Sequence, residues 1–130
     1  MKPGAVKAAV SAAALGLLAL GIAFVFAGAE LADALGWSGG EPMASLLGGA
    51  LVGLGAANWM VRSSPMGGIY GRAVVLGTQV HFVVGAAALL RLVSRTPASA
   101  GALAVTAFYV LGAALYAYLL FARGVRRPAS

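Results

Sequence analysis

The chain has 130 residues, of which 62% are hydrophobic and 9% charged, with 19 glycines and a formal net charge of +6. A soluble domain of ordinary composition carries about 25% charged residues, and so few charges cannot cover so apolar a chain. A water-soluble enzyme is therefore excluded, and a membrane protein is what remains.

A helix needs about 20 apolar residues to cross the hydrocarbon core of a bilayer. Four stretches qualify, at about 5–28, 43–61, 73–90 and 98–122. The first carries no charge after Lys7. Lys2, Lys7 and the small-x-small run Ala27-Gly28-Ala29 also fit a secretory signal, but the apolar stretch is longer than a signal core, which favours an uncleaved span. Glu30, Asp33 and Trp37 follow, suggesting a short interfacial helix. The second span is closed by Arg62, and the third lies between Arg72 and Arg91. The connections are short, so the chain is predicted to be all-α: a single integral membrane domain over 1–130, built as an antiparallel four-helix bundle.

Orientation follows from the basic residues. With the N-terminus inside, Lys2, Lys7, Arg62, Arg72, Arg123, Arg126 and Arg127 fall on the inner side, and only Arg91 and Arg95 on the outer. Positive charge concentrates on the cytoplasmic side of short loops. Both termini are therefore expected in the cytoplasm, and the chain in the cell inner membrane. The basic residues stand singly between apolar runs rather than in a patch with aromatics, which argues against nucleic acid as a partner.

Small residues let transmembrane helices approach closely. Candidate stripes are Ala14, Leu17, Gly21, Val25 and Gly28 on the first span, and Gly49 and Gly53 continuing to Ala56 or Ala57 on the second. On the third they are Gly77, His81 and Gly85, and on the fourth Gly101, Val105, Gly112 and Ala113, with Tyr109 and Tyr116 alongside.

Polar residues inside a span are costly and each needs a reason. His81 falls near mid-depth, with Thr78 a turn earlier on nearly the same face. It suits a haem ligand, a proton relay, a polar anchor for a buried ligand, or a structural hydrogen bond. Asn58 sits one turn inside Arg62 and is expected to reach Gln79 or Tyr70 on the next helix. Trp59, Tyr70, Tyr116 and Tyr118 read as an interfacial aromatic belt. Two arginines, Arg62 and Arg72, bracket a glycine turn that also carries Ser63 and Ser64. This composition suits an anion, with a lipid headgroup as the obvious one, or simply a charged turn. Glu30 and Asp33 share a face and either pair with Arg91 and Arg95, are simply solvated, or hold a cation.

The segments Asn58-Trp59-Met60-x-Arg62, Gly67-Gly68-Ile69-Tyr70-Gly71-Arg72 and His81-Phe82 resemble the middle of small bacterial four-span membrane proteins. The resemblance covers about 25 residues; it implies a four-span fold and a bacterial membrane, and carries over no activity and no catalytic residue. Length and span count also resemble small multidrug-resistance transporters. Those bear a glutamate within the first helix, and here no acid stands between Lys7 and Glu30.

With no cysteine, one histidine and no carboxylate at mid-depth, no acid–base pair or metal set can be assembled. No catalytic residue, metal or cofactor is assigned. The expectation is a non-enzymatic module that binds a lipid or small apolar ligand, or an accessory subunit of a membrane complex. A small transporter or proton-coupled carrier using His81, and a redox or intramembrane enzyme subunit, are the alternatives. Expected partners are membrane lipids and either a second copy or a larger membrane complex.

Overall fold

Pro3 opens the first helix, where its missing N–H removes no intrahelical bond. Helix α1 runs Pro3–Phe26 and bends out of helical geometry at Ala27, where φ is −130°. The short α2, Gly28–Ala34, follows at once. Gly36, with φ +67°, ends it: its N–H donates to the Asp33 carbonyl while the Trp37 N–H reaches back to the Ala32 carbonyl. That double closure is a Schellman motif, and the left-handed residue it needs is glycine. Trp37 is thereby folded back against the helices.

Helix α3 is Gly40–Val61 and α4 is Gly68–Arg95. Ser99 caps α5, Ala100–Tyr118, by accepting a hydrogen bond from the Ala102 N–H at 3.1 Å. A π-helical turn, Leu119–Arg123, prolongs it. The computed structural model describes residues 2–37 and 40–123. Arg126 and Arg127, which enter the orientation argument, lie outside them. Among the described residues the fold is all-α and without strands, 87% helical.

Four of these helices are long and apolar enough to cross a membrane: Pro3–Phe26, Gly40–Val61, Gly68–Arg95 and Ala100–Ala122. Only 22–33% of the residues in their most apolar windows are buried within the protein, so most of the apolar surface faces outward, as expected where lipid completes the packing. Helix α4 is longer than the charge-free stretch between Arg72 and Arg91, because both arginines lie inside it. At 1.5 Å per residue it measures about 42 Å, more than the ~30 Å hydrocarbon core. Arginine is a good helix former and its long side chain reaches outward from an apolar stem, so neither residue ends the helix.

The helices associate mainly as two pairs, α1 with α3 and α4 with α5. In the first pair the backbones touch. A Cβ on Gly21 would lie 2.8 Å from the Gly48 carbonyl oxygen, and one on Gly48 2.7 Å from the Gly21 carbonyl oxygen. Gly28 stands against Ala44, and Gly55 against Leu18 and the Ala14 carbonyl, so partners descend along one helix as they ascend along the other. In the second pair aromatic rings lie on glycines: Tyr109 on Gly85 and Phe82 on Gly112. Phe108, reaching across from α5, covers Gly16 of α1.

Ala14, Leu17 and Gly21 on α1 are buried as the spacing predicts, and so is Gly28, which opens α2 instead of ending α1, while Val25 stands at the edge, 40% exposed. On α3 the packed face is instead Gly48, Leu51, Gly55 and Asn58. Gly49 and Gly53 have open space where a side chain would be, as has Gly77 on α4, and Gly101 is exposed. Adjacent helical residues differ by about 100° around the axis. Glycines at 48, 49, 53 and 55 therefore offer two faces, and spacing alone does not choose between them.

Candidate functional site

Asn58 is fully buried and ties three helices together. Its Nδ2 donates to Thr78 Oγ1 on α4 and to the Leu54 carbonyl, each at 2.8 Å. Its Oδ1 accepts from the Tyr116 hydroxyl on α5 at 2.5 Å. The Thr78 hydroxyl in turn donates to the Val74 carbonyl at 2.7 Å. Both amide hydrogens, the amide oxygen and both hydroxyl hydrogens are thus committed. A polar cluster satisfied in this way rigidifies the core and leaves no donor for a ligand. The expected partners, Gln79 and Tyr70, are not those used. Tyr116 shares a face with Tyr109 and Gly112 and turns inward from α5, whereas Tyr70 is 85% exposed. Tyr116 accordingly leaves the aromatic belt and joins the core. Gln79, next to Thr78, is half-buried, and its Oε1 has no hydrogen-bond partner among the described residues.

His81 lies at the middle of α4, about 20 Å from either end. It is half-buried, and its Nε2 lies 2.9 Å from the Tyr109 hydroxyl of α5. The two rings stand 5.3 Å apart; the Phe82 and Phe108 rings pack against them at 5.4–6.0 Å, and Tyr116 packs behind on Phe82 at 5.6 Å. The pair forms because Gly85, one turn beyond His81, leaves room for the Tyr109 ring. His81 Nδ1 makes no hydrogen bond to a described residue.

His81 and Tyr109 both line a cavity of about 730 Å³. The size falls within the range of pockets that take small organic ligands, roughly 300–1,000 Å³. The cavity opens between the helix pairs. Leu20 and Phe24 of α1 and Leu47 of α3 form one wall, and Val84, Leu89 and Val105 the other. It runs along α4 from His81 to Leu92, about 16 Å at helical rise. Trp37 closes the far end, its ring edge-on to Phe24 at 6.1 Å. Rim residues Val80 and Val84 are 56% and 63% exposed, so the cavity is open sideways, toward the face that lipid would cover. Among the described lining residues, apart from the Trp37 indole, side-chain polarity enters only through His81 and Tyr109.

The remaining candidates are not brought together with these residues. The Arg62 guanidinium folds back on α3, donating from one terminal nitrogen to the Trp59 carbonyl at 2.6 Å and stacking 3.9 Å over the Trp59 ring. It thus caps the helix C-terminus and makes a cation–π contact. Ser63, Ser64 and Arg72 are at least partly exposed, and the Ser64 carbonyl accepts from the Gly67 N–H to close the turn. Glu30 and Asp33 are exposed on α2, while Arg91 donates to the Ala87 carbonyl of its own helix.

Sequence reasoning found His81 and missed Tyr109 as its partner. The available signal was the pair of glycines, Gly85 and Gly112, each able to receive a ring from the facing helix. The cavity had no signal at all, since it is made by residues from five segments. Comparison with protein-family models, curated proteins and solved structures found no match to this chain.

Proposed function

We propose that this chain is an inner-membrane protein, an antiparallel four-helix bundle with both termini cytoplasmic, that holds a small apolar molecule drawn from the bilayer. It acts as a binding module and does no chemistry of its own. The observation that carries this reading is the cavity: apolar along its length, open toward the lipid-facing side, and provided with one polar pair at mid-depth. The satisfied Asn58–Thr78–Tyr116 cluster beneath it holds α3, α4 and α5 in register, so the cavity is pre-formed rather than opened by its ligand. The excess of lysine and arginine on one side of the membrane supports the orientation.

Trp37 lines the cavity and Trp59, the second of two tryptophans, does not. A Trp59→Phe protein in lipid nanodiscs therefore reports on the cavity alone. Dodecyl bromide, whose bromine quenches indole on contact, should quench Trp37 saturably. Adding Ala88→Phe, which fills the cavity from α4, should abolish the saturable component. Quenching that rises without saturation, or that is equal in the two proteins, would overturn the reading.

A further inference from the structure

The proposed cavity has a chemistry of its own at the His81 end, and the inference that follows rests on the binding role just described. We infer that the cavity's ligand carries a carbonyl oxygen at one end of an apolar body, and that this oxygen accepts a hydrogen bond from the His81–Tyr109 pair.

A neutral imidazole and a phenol hold two polar hydrogens between them, one N–H and one O–H. Their mutual bond, Nε2 to hydroxyl at 2.9 Å, uses one. If the hydroxyl donates, the hydrogen left over is on Nδ1; if Nε2 donates, it is on the tyrosine oxygen. In both tautomers one hydrogen remains without an acceptor among the described residues, and both residues line the cavity. An unpaired donor in apolar surroundings is costly, so a ligand that offers an acceptor there is favoured over one that does not.

Depth narrows the class further. His81 is about 20 Å from either end of α4. A phospholipid keeps its ester carbonyls near the headgroups, so placing one beside His81 would drag a charged group toward the bilayer centre, which is expensive. A fatty carboxylate meets the same objection. What fits is a neutral lipophile with a ketone- or quinone-type carbonyl at His81 and its apolar part extended along the ~16 Å toward Trp37.

The test uses the Trp59→Phe protein in nanodiscs, with dodecyl bromide as reporter and two matched competitors, methyl undecyl ketone and tridecane. The ketone should displace the reporter about fivefold better than the alkane, the worth of one neutral hydrogen bond. In the double variant His81→Leu, Tyr109→Phe, which removes both hydrogens, the two competitors should become equal. A second measurement does not depend on that variant folding. The infrared carbonyl stretch of isotope-labelled methyl undecyl ketone should move to lower frequency when bound than when dissolved in the bilayer. Equal displacement by ketone and alkane, an unshifted carbonyl band, or a reporter displaced only by diacyl phospholipid would each overturn the inference while leaving the binding cavity intact. Failure of dodecyl bromide to bind would instead remove the cavity's role itself.

Discussion

The two helix pairs are both built on glycine, and they use it in opposite ways. Between α1 and α3 glycine is a contact: Gly21 and Gly48 bring two backbones together, each carbonyl where the other's side chain would be. Between α4 and α5 glycine is a vacancy filled from across the interface, with Phe82 seated on Gly112 and Tyr109 on Gly85. The first arrangement gains dispersion contacts along two close backbones, as small residues do wherever no hydrophobic effect drives helices together. The second seats aromatic rings where glycine leaves room, and Tyr109 carries its hydroxyl inward to His81. Both buried tyrosine hydroxyls, at 109 and 116, come from the second pair. The backbone pair supplies close packing and Asn58, and the ring pair supplies the His81–Tyr109 pair that lines the cavity.

This difference should appear in what a single added methyl does. Gly48→Ala places a carbon 2.7 Å from the Gly21 carbonyl, an atom that moves only if the helix moves. A loss of about 3 kcal/mol, at the upper end of overpacking costs, is expected in denaturant titrations of the reconstituted protein. A loss below about 1 kcal/mol would mean that α1 and α3 separate easily and that the pairs do not differ.

Gly112→Ala sharpens the comparison from the other side. Its added carbon would meet the Phe82 ring at 2.6 Å, and a ring can turn where a carbonyl cannot. The expected loss is smaller, about 1 kcal/mol after the helix propensity gained by replacing glycine. Phe82 is also packed on Tyr116, with ring centroids 5.6 Å apart, so its displacement should reach the Asn58 cluster. A loss equal to that of Gly48→Ala would show that the ring is held as rigidly as backbone.

The smallest effect, and one of opposite sign, belongs to the glycines that do neither job. At Gly49 and Gly53 a side-chain carbon would meet nothing within 4 Å. Gly49→Ala should therefore be neutral or stabilise by up to about 1 kcal/mol through helix propensity alone. Destabilisation there would reveal a partner packed on that face of α3 in the membrane.

Much of this protein was determined by its sequence alone. Four apolar runs of sufficient length dictate four helices, because a backbone in hydrocarbon must satisfy its own hydrogen bonds. The glycine at position 36 dictates how α2 ends, and so where Trp37 turns. Mid-span polar residues at 58, 78 and 81 were legible as residues that need partners. Who those partners are was decided only in three dimensions. Asn58 lies 20 residues from Thr78 and 58 from Tyr116, and His81 lies 28 from Tyr109. Helical periodicity reports which side chains share a face, and says nothing of which faces meet. In a chain with 19 glycines even the face is ambiguous, since adjacent glycines at 48 and 49 point about 100° apart and only one meets α1. The cavity was the least legible feature, because its walls come from residues of α1, α3, α4, α5 and the turn at Trp37, which only the tertiary packing brings together.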